Sequence, residues 1–140
     1  MIMKLIFSLI LILVVVSSGA VAQSEKQGDC RPVFEEIQQG FEAGNVSLFS
    51  SHFASQVQVN LKGEESGYYS SNHAYYILEK YLKARKVISF EFTSVSDTEA
   101  TPYATGNAVF RNKGTREIVQ VYVSLMQSAD RWVIAEINIY

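Results

Sequence analysis

REIVQVYVSLMQSADRWVIAEINIY, residues 116–140, holds two runs rich in β-branched and aromatic residues on either side of the polar group Ser128, Ala129 and Asp130. Such residues suit a pleated, half-buried surface, so the stretch reads as a long antiparallel hairpin. Side chains alternate between faces along a strand, and one pairing therefore fixes both faces. Pairing Gln127 with Arg131 across a three-residue loop puts Val119, Val121, Val123 and Leu125 on one face with Val133, Ala135, Ile137 and Ile139. That face has no polar side chain. The other collects Ile118, Gln120, Tyr122, Ser124 and Met126 with Trp132, Ile134, Glu136, Asn138 and Tyr140. A register shifted by one residue would bury Gln and Glu without partners and is rejected. A β-bulge would exchange part of one face for the other.

Working outward, Asn112, Lys113, Gly114 and Thr115 form a turn with glycine where a positive φ is needed, and a strand over 103–111 precedes it. If Arg111 pairs with Arg116, then Ala104, Gly106 and Ala108 join the apolar face, and Thr105 and Asn107 the mixed one. A further strand over 87–96 offers Ile88, Phe90 and Phe92 at period two. An antiparallel sheet with one apolar face must be covered, so helices are required elsewhere in the chain.

They are found N-terminal to it. Val33, Phe34, Ile37 and Phe41 recur at helical spacing, with Pro32 tolerated in the first turn and Gly44 past the end. Asn45 reads as the N-cap of a short helix over 46–53 rather than as a glycosylation site. Val57, Val59 and Leu61 alternate as a short strand, and Lys62 to Glu65 turn. Ala74, Ile77, Leu78, Tyr81 and Leu82 then mark a helix over 71–84, capped by Ser70 or Ser71. Lys83, Arg85 and Lys86 complement its C-terminal dipole.

Residues 1–22 read as a secretory signal: Lys4, an apolar run over 5–16, then small residues ending in Ala20, Val21 and Ala22. The run is shorter than the roughly 20 residues that span a bilayer, so no stable membrane insertion is expected after cleavage. Residues 23–29 read as a flexible N-terminus and 30–140 as a single domain, exported to the periplasm or secreted. The net charge is −2 before Lys4 is lost, with no basic stripe, which argues against nucleic acid as a partner. Cys30 is the single cysteine, so no intrachain disulfide forms.

Helix, short helix, strand, helix and a run of antiparallel strands resembles the nuclear transport factor 2-like (cystatin-like α+β) superfamily. The residues that carry the resemblance are Phe41, Glu42, Ala43, Gly44, Asn45, Val46, Leu48, Phe49, Phe53 and Val57, with Trp132, Val133 and Ile134 opening the last strand. Tyr69, Ser70, His73 and Ala74 before the third helix look like the domain of unknown function 4783 group. The resemblance implies an α+β fold, a curved, mostly antiparallel sheet wrapped around N-terminal helices like a cone. It also implies pairing of two copies through the outer sheet face.

Enzymes of that superfamily place Asp, His, Tyr or Arg inside the cone, whereas the apolar face here has no acid, base or nucleophile. Asp29, Asp97 and Asp130 all fall at termini or turns. Neither histidine has metal-site spacing, and no cofactor is expected. The expected function is thus a non-catalytic exported binding or interaction module. Its partners are a second copy on the outer face, through Gln120, Tyr122, Trp132, Ile134 and Glu136, and a small apolar ligand in the cone. The alternative is a small isomerase- or cyclase-type enzyme acting on an apolar substrate, with His73 and Tyr69 as acid and base converging inside the cone.

Overall fold

The computed structural model describes residues 28–140; the signal read over 1–22 lies outside them, as does most of the N-terminal segment read as flexible. Its first helix, α1 (Arg31–Ala43), carries Pro32 in its first turn and ends where Gly44 turns left-handed at φ 64°. Val33, Phe34, Ile37, Gly40 and Phe41 form its buried stripe. Gly40 is needed because the Phe49 ring lies against it, and an added Cβ would stand 2.3 Å from that ring.

The expected helix over 46–53 is instead two single 3₁₀ turns, Val46–Leu48 and Ser50–His52. Val46 and Phe49 are buried three residues apart while Leu48 stays exposed, a spacing that a 3.0-residue turn satisfies. Asn45 does act as the cap, its Oδ1 accepting from the Ser47 N–H at 3.0 Å. Strands β1 (Phe53–Leu61) and β2 (Ser66–Ser70) follow, then α2 (Ser71–Lys83), capped by the Ser70 hydroxyl.

The remaining strands are β3 (Lys86–Ser96), β4 (Tyr103–Asn112), β5 (Thr115–Ser128) and β6 (Arg131–Ile139). They join one six-stranded sheet in the order β2-β1-β6-β5-β4-β3, antiparallel except where β1 meets β6. Arg111 pairs with Arg116 as read, and Ala104 and Ala108 are buried against Val123 and Val119. At the outer edge, β3 carries two bulges. The first turns Val87 inward and leaves Ile88 exposed, against its expected place in the core. The Phe92 N–H donates to Gln38 Oε1 at 3.1 Å, and bulges with such a covering side chain blunt an open sheet edge.

The hairpin register differs from the sequence reading. Ser128 pairs with Arg131, so the turn is Ala129 and Asp130 alone, with Ala129 at φ 55°. Leu125 opposes Ile134, but Ser124 opposes Glu136, which leaves Ala135 as an extra residue in β6. This bulge turns Trp132 and Ile134 to the inside, where they are 8% and 0% exposed, and sends Val133 to the other face beside Met126. The exchange seats the larger side chains in the core, and each buried methylene contributes about 0.8 kcal/mol.

Inside the sheet the helices pack on a core rich in aromatic rings. Phe41 stacks between Phe49 and Phe90 at 5.5 and 4.9 Å, and Tyr81 meets Phe110 edge-on at 5.9 Å. All five are at most 3% exposed. Among the described residues no helix is long and apolar enough to cross a membrane.

Candidate functional site

His73 and Tyr69 come together, but not as an interior acid–base pair. Tyr69 lies on β2, directly before the helix cap Ser70, and the rings meet edge-to-face with centroids 5.0 Å apart. His73 is exposed, its backbone N–H donating to the Ser70 hydroxyl at 3.3 Å, so it occupies the capped first turn of α2. The Tyr69 hydroxyl donates to Glu65 Oε2 at 2.9 Å, and that bond pushes its pKa up. A phenol held protonated by a carboxylate is a poor base.

The outer sheet face is richer. Gln120 is exposed there, and Tyr122 and Glu136 are half-buried, as the sequence reading placed them; Trp132 and Ile134 are lost to the interior through the Ala135 bulge. Tyr122 stacks on Tyr103 at 5.8 Å. Burial, then the nearby Glu136 charge, raises its pKa. Tyr103, Ile118, Met126 and Tyr140 add exposed apolar surface. Around Tyr122 the neighbours across β4 and β5 are Thr105, Asn107, Ile118 and Gln120, none of them charged.

The same face has a second, more polar half. Ser66 donates to Asn60, Asn60 to Asn138, and Asn138 to Glu136, each at 2.6 Å, a chain of hydrogen bonds that crosses from β2 to β6. Next to it β1 and β6 part company: Phe53 pairs with Ile134 and Gln58 with Glu136, so β1 runs from 53 to 58 while β6 advances only from 134 to 136. The misfit bows β1 outward and opens a depression of about 590 Å³.

Other groupings were not legible in the sequence. Arg85, with a side chain 9% exposed, donates to Glu64 at 3.0 Å and lies 3.6 Å from Glu117. Its guanidinium stacks 3.8 Å over Tyr81, and it donates to the Tyr81 carbonyl at 3.2 Å. The dipole role read for Lys83, Arg85 and Lys86 is therefore only part of what Arg85 does; it clasps the β1–β2 turn and β5 to the end of α2. His52, which showed no carboxylate neighbour in sequence, bonds Glu36 of α1. Both join residues far apart in the chain, for which spacing gives no signal. Among the described residues no three His, Cys, Asp or Glu side chains gather as a metal site would require.

A family model described as "Domain of unknown function (DUF4783)" matches residues 34–140. No curated protein sequence matches the chain. Among solved structures, a DUF4783 family protein from Bacteroides uniformis superposes with a TM-score of 0.68 at 17% identity, covering 75% of this chain and 93% of that one. Another from Bacteroides ovatus gives 0.66 at 16%, covering 74% and 90%. A hypothetical protein with a ketosteroid isomerase-like fold from Catenulispora acidiphila, in complex with trimethylamine, gives 0.60 at 11%, covering 77% and 83%. At such identities the likeness is one of fold.

Proposed function

The chain belongs to the family described as domain of unknown function 4783, and from that premise we propose a non-catalytic exported interaction module that pairs with a second copy through the β4–β5 half of its outer sheet face. The observation that carries the reading is the contrast across β4 and β5: the inner side chains are sealed in the core, while Ile118 of β5, at 65% exposed, and Tyr103 of β4 stay open outside. Large apolar side chains clustered on an exposed sheet face favour association, with the Glu136 charge at the β6 side of the patch. A small apolar ligand in the cone would compete for space with Phe41, Phe49 and Phe90. The acid–base reading is weakened by the exposure of His73.

Light scattering coupled to gel filtration tests it on the chain from Gln23 onward. The wild type runs as a dimer at micromolar concentration, and Ile118→Lys with Tyr122→Glu runs as a monomer with a similar melting temperature. A wild type that stays monomeric at about 100 μM defeats the reading. Export predicts loss of residues 1–22 from the periplasmic product, read by intact mass.

A further inference from the structure

The geometry points to a site for a neutral saccharide in the depression where β1 bows away from β6. Its lining combines Tyr68, 71% exposed, with Gln56, Gln58, Arg131 and Glu136, and with Met126 as an apolar wall. A pyranose offers a flat patch of C–H groups and a rim of vicinal hydroxyls. An open aromatic ring suits the first, and planar amide, carboxylate and guanidinium groups, with paired donors or acceptors, suit the second.

Three features favour this ligand over others. Arg131 and Glu136 bring opposite charges to the lining, so neither an anion nor a cation is selected. Glu136 is held by the chain of bonds from Ser66 through Asn60 and Asn138, so one of its oxygens is fixed before a ligand arrives. Such preorganisation lowers the entropy lost on binding. The volume, about 590 Å³, falls in the range of small-molecule sites and accommodates a disaccharide. The site goes beyond the self-association proposed above and does not need it: Tyr68, Gln56 and Gln58 lie on β2 and β1, away from Ile118 and Tyr122, and only Met126 and Glu136 border both regions.

The test is titration of the ¹⁵N-labelled protein with cellobiose, maltose, lactose and N,N′-diacetylchitobiose, each to about 20 mM, followed by NMR. At least one probe is expected to give saturable shifts centred on the Gln56, Gln58 and Asn138 side-chain amides, with Kd about 1 mM or below. Tyr68→Ala should weaken that binding about tenfold at unchanged melting temperature, and Tyr68→Phe should restore it, since stacking uses the ring and not the hydroxyl. Repeating the titration on the Ile118→Lys, Tyr122→Glu variant separates this site from dimerisation: binding there should persist. The proposal is overturned if none of the four probes gives saturable shifts, or if Tyr68→Ala binds as the wild type does.

Discussion

The two faces of the β5–β6 hairpin are built from neighbouring residues of one sequence and behave as different materials. Inside, Val121, Val123, Ile137 and Ile139 are at most 1% exposed; outside, Gln120, Met126 and Tyr140 remain open to water. The boundary between them is moved by a single extra residue, Ala135. A strand thus assigns its side chains to one face or the other by parity, and one bulge reassigns a whole segment.

The sharpest way to break this comparison is Ile134→Asp. Were Ile134 on the outer face, as the simple register has it, the change would be mild. On the inner face it buries a carboxylate among apolar groups, and loss of the folded state, at least about 4 kcal/mol, is expected by thermal or urea denaturation. Phe41→Ala comes next, removing the ring between Phe49 and Phe90 at a cost of about 3–5 kcal/mol, measured the same way.

A subtler effect is expected in alkali. Burial pushes the Tyr81 pKa up from 10 to about 12. Below pH 10 both folded and unfolded states keep the proton and the stabilisation is complete. Between 10 and 12 the unfolded chain ionises first, so stability falls as pH rises. Melting temperatures across that window should decline less steeply in Tyr81→Phe. The smallest change belongs to the outer face: Gln120→Ala should alter stability by no more than about 0.5 kcal/mol. A larger loss would mean that this face too is packed.

Much of the fold was legible because it is local. The caps at Asn45 and Ser70, the amphipathic stripe of α1 and the Arg111–Arg116 register all follow from residues a few positions apart. What escaped was either a bulge or a distant pairing. Bulges leave composition unchanged, so Trp132, Ile134 and Ile88 read on the wrong side. The candidate site suffered most, since Trp132, Ile134 and Glu136, three of its five expected interface residues, depend on parity in β6. Tyr68 and the Ser66–Asn60–Asn138–Glu136 chain were missed for another reason: they come together only when β1 lies beside β6.

That parallel pairing also makes completion of the sheet depend on contacts between distant parts of the chain. Strand β6 lies between β1 and β5, yet every other element precedes it in sequence, and Asn60 and Asn138 are 78 positions apart. The β1–β2 hairpin therefore joins the rest of the sheet only through β6. Closing so long a loop before any contact rewards it makes folding slow, in the range of non-local β topologies. During that interval the chain persists with its sheet unfinished and the β5 edge that β6 will cover still open.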